Sequence, residues 1–365
     1  MLRYQEIKQM LHERILGMDV GSKLPSRPEL SRLLDSSRAT VDKAIRELTE
    51  EGLLTSRFGS GTYVARRIEG VVEKSDNWCV IIPDIRETIY ASLTSAIEAY
   101  ANALHTNVII CNSDGDGDKQ IQYIQRMVHS GISGFIIVPV VASRITENYR
   151  LYSSLLDSKL PFVFCNRSIE GIKVPIVTSN DFYGGYIATK HLLDQGYREI
   201  AYVAGERYST SINRCQGYLS ALMERGLPVQ RHRMLFMPEP FYHDWQMIYD
   251  KTTGLLHRDR EIDAVFAFSD EIALQVHLAA SDAGLSMPGD IGIIGYNDTE
   301  ACMRVRPALS SVAYMATEIG EMAAKLLQKQ IDGQLDDEFA YYLFQPEIRA
   351  RGSSNKSAAN IQTRQ

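Results

Sequence analysis

The sequence predicts an α/β protein in two parts: a small helical domain that ends in a β-hairpin, and a larger domain of parallel sheets in two subdomains. Two observations carry this prediction. Residues 1–65 show amphipathic helical periodicity followed by a glycine-containing hairpin pattern. Beyond residue 77, apolar segments of strand length alternate with helical stretches, which is typical of parallel sheets covered on both faces. At 365 residues, the chain is also too long for one ordinary core.

Composition favours a soluble globular protein, with 45% hydrophobic and 23% charged residues. Apolar runs stay shorter than the roughly 18 residues of a membrane span, and Met1–Gly17 lacks the pattern of a signal peptide, so we predict a cytoplasmic protein. The five cysteines show no metal-ligand or redox spacing, which predicts reduced core thiols. Residues 1–70 carry a net charge of +2 and the remainder −8, so the amino-terminal part is the one expected to meet a polyanion.

Three helices are predicted in the amino-terminal part. Apolar residues recur at helical spacing in the first of them, which ends near Gly17: Tyr4, Ile7, Met10, Leu11 and Ile15. Ser26 is expected to begin the second helix, with Glu29 as its capping-box partner. Ser37 can cap the third helix, whose core stripe is Val41, Ala44, Ile45 and Leu48. The segment "LLTSRFGSGTYVA" then predicts a β-hairpin wing, and three helices with a wing form a winged helix-turn-helix.

The stretch "KLPSRPELSRLLDSSRATVDKAIRELTEEGLLTSRFGSGTYVA" resembles the DNA-binding domain of the GntR family. The shared features are Leu-Pro-Ser, Ser37-Arg38-x-Thr40, the Glu51-Gly52-Leu53 run and the Gly59-x-Gly61-Thr62 wing. The resemblance implies a DNA-binding domain over residues 1–65 with double-stranded operator DNA as its partner. The residues expected to contact DNA are Arg27, Ser37, Arg38, Thr40, Asp42, Lys43, Arg46, Gly59, Ser60 and Gly61.

Physical reasoning agrees with this assignment. A recognition helix enters the major groove by its N-terminal end, where Arg38 can pair with a guanine edge. Hydroxyls and free N–H groups there suit phosphates, and the wing glycines permit close approach to the minor groove. A solvated helix face is the alternative for Arg38, Lys43 and Arg46. Asp42 departs from the family, as does Phe58. Asp42 lies four residues from both Arg38 and Arg46, so it either orients one of these guanidinium groups or accepts from a cytosine amino group.

The remaining chain is divided into a polar linker at residues 66–77, an effector domain at 78–350 and a disordered tail at 351–365. Strand-like segments of the effector domain are "WCVIIP", "NVIICN", "GFIIVP", "PFVFC", "IAYVA", "AVFAF" and "DIGIIGY". Because the series is too long for one sheet, we expect two α/β subdomains that flank a cleft.

Several stretches resemble the sugar-responsive LacI-type regulators, above all "FSDEIALQV" and "GLSMPGDIGIIGYNDTE". The resemblance implies a periplasmic-binding-protein-like effector domain, a small sugar as effector and a homodimer that represses carbohydrate-utilisation genes. The positions that match the family's ligand contacts are Ile89, Tyr90, Asn166, Asn180, Asp181, Arg214, Trp245, Ser269, Asn297 and Tyr314. Asp270 is expected to cap a helix.

These residue types suit a polyol, because hydroxyls need Arg and Asn or Asp as partners and the C–H face of a sugar needs an aromatic plate. Structural burial is the alternative for Trp245. A lone Arg214 among Asn, Ser and Trp favours a neutral polyol over a phosphate. A nucleoside or sugar phosphate as ligand, activation instead of repression, and a receptor that acts through a protein partner remain open.

Enzymatic and metal-dependent functions have little support. The chain has no G-x-S-x-G elbow, P-loop or clustered histidine spacing, so we predict neither a catalytic residue nor a cofactor or metal. Asp114, Asp116 and Asp118 imitate the start of a calcium loop, but Lys119 occupies the place of the required glycine. An acidic turn that caps the next helix explains this segment better.

Overall fold

The computed structural model of the protein describes residues 3–15, 18–57, 60–66, 77–140, 145–169, 171–205, 209–237, 244–335 and 340–356. The chain forms two compact units, Met1–Ser75 and Asp76–Gln365. Most of the predicted linker, together with Phe58 and Gly59 of the predicted wing, lies outside the described residues. Asn77, the last residue assigned to the linker, already belongs to a strand.

The first unit is a winged helix-turn-helix, as predicted. Its elements are α1 (Arg3–Ile15), α2 (Arg27–Leu33), α3 (Arg38–Glu50), β1 (Leu54–Arg57) and β2 (Gly61–Val64). The two strands pair antiparallel, with Leu54 opposite Val64. The predicted capping box begins α2: the backbone N–H of Ser26 donates to Glu29 Oε2 at 2.7 Å. The residue at which α2 begins is therefore determined by side chains of its own first turn.

The core of this unit joins α1 to α3. Ile7, Leu11 and Ile15 are fully buried together with the predicted stripe of α3. Met10, which the sequence pattern placed on the same apolar face of α1, is 47% exposed. That prediction was wrong because Leu11 already occupies the buried i+4 position after Ile7, and Met10 points about 100° away from it.

The second unit contains two parallel-sheet subdomains, which confirms the predicted fold class. Its helices are α4 (Thr88–Ala103), α5 (Gly117–Val128), α6 (Ile145–Ser158), α7 (Asp181–Asp194), α8 (Ser209–Glu224), α9 (Trp245–Arg258), α10 (Asp270–Asp282) and α11 (Ala316–Ile331). Its strands are β3 (Asn77–Ile82), β4 (Asn107–Asn112), β5 (Gly134–Ile137), β6 (Phe162–Cys165), β7 (Ile176–Ser179), β8 (Ile200–Gly205), β9 (Met234–Met237), β10 (Ala264–Ala267), β11 (Gly292–Asn297), β12 (Ser310–Ala313), β13 (Tyr341–Phe344) and β14 (Glu347–Arg349).

Each subdomain is built on one sheet. The strand order is β13-β7-β6-β5-β3-β4 in the first sheet and β14-β12-β11-β10-β8-β9 in the second. The described strand pairs are parallel, except for the antiparallel pair β12–β14. The chain passes between the subdomains after β7, after β12 and after β13. These three crossings lie side by side, because β13 neighbours β7 and β14 neighbours β12, and we refer to them as the hinge of the unit.

The edge strand β4 departs from the expectation that the apolar segments are buried on both faces. Ile109 is 36% exposed and Ile110 is 42% exposed. The segment "NVIICN" has the apolar composition of the central strands, but β4 pairs with β3 alone among the described strands. Composition cannot tell an edge strand from a central one, because that difference depends on the order of strands in the sheet.

The predicted disordered tail begins too early. Ser353 and Ser354 are fully buried. The Ser353 hydroxyl donates to Ile293 O at 2.6 Å and accepts from Ser310 N at 2.8 Å, so it bridges β11 and β12. The polar composition of this segment therefore serves to satisfy strand ends and is not a sign of disorder. Residues 357–365 lie outside the described part of the chain.

The acidic turn before α5 acts as a helix cap, as predicted. Asp116 accepts from the backbone N–H groups of Asp118 and Lys119, at 2.7 and 3.1 Å. Asp114 pairs with Lys119. Within the described ranges, no cluster of His, Cys, Asp and Glu could hold a metal ion, and no helix is long and apolar enough to span a bilayer. All five cysteines are buried and unpaired by disulfides.

Candidate functional site: a recognition helix and a cleft between two sheets

The N-terminal end of α3 is organised by two hydroxyl groups. Ser37 caps the helix and accepts from the Thr40 backbone N–H at 3.2 Å. Its Oγ lies 2.8 Å from Thr40 Oγ1. Both side chains belong to the predicted DNA contacts, and their hydroxyls are close enough to receive the same phosphate.

Asp42 is held mainly by a residue that the sequence did not connect to it. Its Oδ1 lies 2.5 Å from Nε of Arg27 on α2, whereas its Oδ2 lies 4.0 Å from Nε of Arg38. The pairing with Arg38 expected from i, i+4 spacing is thus present but longer than the contact with Arg27. The pairing with Arg46 is not observed among the described contacts. Helical periodicity could not find Arg27, because it lies on another helix.

The remaining cations of α3 differ in their surroundings. The Lys43 ammonium group lies 3.6 Å above the ring of Tyr4 on α1, in a cation–π contact. The Arg38 side chain is 70% exposed, and Arg46 is also exposed. The side chains of Arg38 and Arg46 are therefore accessible to a polyanion. Lys43 would have to give up or weaken its cation–π contact with Tyr4 to bind one.

The wing and the segment that bridges to it contain three residues that sequence reasoning missed: Arg57 and Tyr63 in the wing, and Lys23, which forms an antiparallel bridge with Tyr63. Ser60 Oγ lies 2.6 Å from the Tyr63 hydroxyl, and the Arg57 guanidinium group lies 5.1 Å from the Tyr63 ring centre. Gly61 has φ +125°, and a Cβ there would lie 2.8 Å from the Lys23 side chain. The positive φ angle is what requires glycine, because the flexible end of the Lys23 side chain can move away from a Cβ. Lys23 and Arg57 are exposed.

A cleft between the two sheets of the second unit holds the second candidate site. It encloses about 640 Å³, its open mouth included. It lies beyond the carboxyl ends of parallel strands, where open α/β sheets place their ligands. It is lined by Glu87, Ile89, Tyr90, Asn166, Arg167, Thr210, Arg214, Trp245, Phe268, Ser269, Glu271, Ile272 and Asn297.

Seven of the ten predicted effector contacts are in this lining: Ile89, Tyr90, Asn166, Arg214, Trp245, Ser269 and Asn297. Asn166 and Asn297 adopt positive φ angles of +63° and +106°, which asparagine tolerates better than most residues. The Asn297 Oδ1 atom is buried and has no hydrogen-bond partner among the described residues. It is therefore available to accept a hydrogen bond from a ligand.

Arg214 is fixed from several sides. Its Nε donates to Asp181 Oδ1 at 2.8 Å, and its Nη1 donates to Phe268 O at 2.7 Å. Its guanidinium group lies 3.5 Å from the ring centre of Tyr296. Burial disfavours the charged form, but Asp181 and the neighbouring Tyr296 and Tyr202 together outweigh this effect, so the pKa of Arg214 lies above its ordinary value. Asp181 itself is buried beneath Arg214 and does not line the cleft.

Asn180 and Tyr314 lie at the hinge instead of lining the cleft. Asn180 caps α7 by accepting from the Tyr183 backbone N–H, and its Nδ2 donates to Gln345 Oε1 at 3.2 Å. It thereby joins the first crossing to the third. Tyr314 follows β12 at the second crossing and is 7% exposed. Their positions at strand ends suggested ligand contact, but the same positions are also where the chain changes subdomain.

Six lining residues were missed: Glu87, Arg167, Thr210, Phe268, Glu271 and Ile272. Arg167 corrects the expectation of a lone Arg214, since its Nη2 donates to the Tyr90 hydroxyl at 3.2 Å beside the same cleft. Burial raises the pKa of Glu87 to about 7, although Arg167 pulls it down. Arg167 directly follows Asn166, which the sequence had identified as a ligand contact. Its place beside a predicted contact could therefore have identified it.

The loop that follows Asn297 is hydrogen-bonded to a buried carboxylate, that of Asp270. Asp270 accepts from Thr299 N at 2.7 Å and from Ser311 Oγ at 2.6 Å, and it is fully buried. Burial raises its pKa to about 7. The helix cap expected at Asp270 is instead Ser269, whose Oγ accepts from Ile272 N at 3.4 Å. Asp270 was misassigned because Ser and Asp are both good caps and stand next to each other.

Comparison with known proteins finds a family match in each of the two units. The family model for the gntR family of bacterial regulatory proteins matches residues 3–64, and that for the periplasmic binding protein-like domain matches residues 189–354. The chain is 25% identical to the arabinose metabolism transcriptional repressor of Geobacillus stearothermophilus over 358 residues, which covers 97% of this chain and 98% of the relative.

Two further relatives match about three quarters of the chain. The catabolite control protein A of Priestia megaterium is 34% identical over 261 residues, or 71% of this chain and 76% of that protein. The structure of a LacI family transcriptional regulator from Enterococcus faecium with bound ribose superposes with a TM-score of 0.65 and 29% identity, covering 76% of this chain and 98% of the other. The chain therefore belongs to the family of bacterial transcription regulators with a periplasmic-binding-protein-like effector domain, and it carries a GntR-type DNA-binding domain.

Proposed function

We propose that the protein represses carbohydrate-utilisation genes in the cytoplasm and leaves its operator when a small sugar fills the cleft. The observation that carries this proposal is the pairing of Trp245 with Arg214 in one cleft. Trp245 is 37% exposed, and Arg214 is fixed by Asp181 and Phe268. An aromatic plate beside a rigid donor suits the C–H face and the hydroxyls of a sugar ring. The full-length likeness to an arabinose repressor supports the same ligand class.

The cleft can couple ligand binding to conformation. Its lining comes from both subdomains, with Tyr90 and Asn166 on one side and Arg214 and Trp245 on the other. A ligand that contacts both sides favours the arrangement in which they are close. A hundredfold preference of the sugar for the arrangement that does not bind DNA is worth about 2.7 kcal/mol.

The proposal includes a homodimer that reads two half-sites about 34 Å apart. The apolar edge strand β4 supports self-association, because Ile109 and Ile110 are exposed and β4 pairs with β3 alone among the described strands. Sedimentation equilibrium of Ile110→Lys tests this surface: the variant should be monomeric, and an unchanged dimer would exclude β4 as the interface.

The experiment that tests the function uses an operator selected from a random duplex library by the purified protein. Arg38→Ala should abolish binding of that duplex and leave sugar binding intact, because Arg38 is exposed and remote from the core. Arabinose, ribose, xylose, glucose and cellobiose are then titrated into the wild-type complex. Release of the duplex by one of them supports the proposal. Failure to select any duplex, or tighter DNA binding with sugar, would contradict it.

A further inference from the structure

The charges that line the cleft are more numerous than recognition of a sugar ring requires. Two acids, Glu87 and Glu271, and two bases, Arg167 and Arg214, face the same space. The sign of the field that a ligand meets depends on which of these charges is already neutralised inside the protein.

Arg214 brings little net charge to the cleft. Its side chain is 4% exposed, and Asp181, which is 3% exposed, lies against its Nε. The pair is buried together, so the ligand meets a rigid hydrogen-bond donor whose charge is balanced from behind. Arg167, 5% exposed, is opposed by Glu87, whose pKa it lowers against the larger effect of burial.

Glu271 remains. It lies in the first turn of α10, lines the cleft and has no ion pair among the described residues. Glu87 stands in a similar place, as the N-cap residue of α4 without a side-chain cap hydrogen bond. Helix N-termini attract anions through their free N–H groups and the helix dipole. Here the two carboxyl groups of the protein occupy the places where the helices would otherwise receive an anionic ligand.

We propose that Glu271 makes the cleft selective for uncharged polyhydroxyl ligands and excludes phosphorylated or carboxylated ones, while Glu87 balances the charge of Arg167. This inference rests on the proposed function, since it names the chemical class of the effector. Carboxylates accept hydrogen bonds from neighbouring hydroxyl groups, which an uncharged sugar supplies. A phosphate or a second carboxylate brings a like charge within a few ångströms of Glu271 in a partly desolvated site, which is repulsive.

The test compares matched neutral and anionic probes by isothermal titration calorimetry: ribose with ribose 5-phosphate, glucose with glucose 6-phosphate and with glucuronate, and adenosine with adenosine monophosphate. In the wild-type protein, the anionic member of any pair that binds should be weaker by roughly tenfold or more. Glu271→Gln keeps the side-chain shape and removes the repelling charge, whereas Glu87→Gln leaves the charge of Arg167 without its balancing carboxyl group. Each substitution should therefore narrow the affinity ratio within a pair by several-fold. Glu318→Gln, an exposed residue in the first turn of α11 that does not line the cleft, is the matched control and should leave the ratio unchanged.

Anionic probes that bind the wild-type protein as tightly as their neutral counterparts would overturn the inference, as would a ratio that neither Gln substitution alters. Absence of binding by every probe would overturn it as well, and the operator experiment would then decide the DNA-reading part of the proposed function separately. If adenosine binds, adenosine monophosphate does not bind and no sugar binds, the inference that the cleft excludes anionic ligands is supported. The proposal that the effector is a sugar is then wrong.

Discussion

Arg27 and Asp42 form an ion pair between α2 and α3, with the Arg27 Nε atom 2.5 Å from Asp42 Oδ1. The same guanidinium group donates from Nη1 to Thr62 Oγ1 in the wing, at 2.9 Å. Arg27 therefore connects α2 and α3 to the wing. We expect Asp42 to influence DNA recognition without touching a base, because it holds the Arg27 cation beside α3.

Asp42→Ala should reduce the preference for the operator over unrelated duplex DNA by about tenfold and raise affinity for unrelated DNA. Loss of the carboxylate releases Arg27 for phosphate contact and removes one negative charge from the DNA-facing surface. The side chains are 31% and 35% exposed, so the free energy of unfolding should change by at most about 1 kcal/mol. Fluorescence anisotropy with both duplexes at several salt concentrations measures the effect. Glu50→Ala, on the same helix, controls for net charge; an equal effect there would contradict a specific role for Asp42.

Arg214→Met should destabilise the protein by about 3–5 kcal/mol, because it leaves the buried Asp181 carboxyl group without its cationic partner. Asp181→Asn should also be destabilising. The double variant should lose less than the sum of the two single variants, since no uncompensated charge remains. Urea unfolding of the four proteins checks this cycle. Additive losses would show that the pair is not coupled in the folded state.

Trp245 should report ligand binding by its fluorescence. The chain contains two tryptophans, and the other, Trp78, is 1% exposed in the core of the second unit. A sugar that stacks on Trp245 should therefore change the emission, and Trp245→Phe should lose this signal while retaining weaker binding by calorimetry. Trp245→Ala should bind at least about tenfold more weakly. A full fluorescence response from Trp245→Phe would place the ligand elsewhere.

Glu87 should make stability depend on pH. Burial raises its pKa in the folded protein to about 7 from an ordinary value of 4.5. Below pH 4.5 the group is protonated in both states. Between pH 4.5 and 7 the unfolded chain releases the proton first, so stability falls as pH rises through this interval and stays lower above it. Glu87→Gln removes this contribution.

The thermal midpoint of Glu87→Gln, compared with that of the wild type, should therefore rise more at pH 8 than at pH 5. Part of the slope should remain in the variant, because burial also raises the pKa of Asp270 to about 7. Equal differences at the two pH values would contradict the buried carboxyl group. Glu318→Gln again serves as the exposed control.

The local elements and the general architecture were predictable from the sequence. The capping box at Ser26, the cap at Ser37 and the buried stripe of α3 depend on residues within a few positions of one another, so periodicity and capping rules find them. Apolar segments likewise predicted β3, β5 and β6, because strands that are covered on both faces carry a strong compositional signal.

Which polar groups contact one another depends on the complete fold. Arg27 reaches Asp42 from another helix, and Arg214 reaches Asp181 across 33 residues. Ser353 fills a place between two strands whose bonded residues lie 60 and 43 positions away in sequence. The hinge position of Asn180 and the exposure of β4 follow from the order of strands and crossings. Such contacts depend on long-range packing, and a side chain's partner there is fixed by the fold and not by its neighbours in sequence.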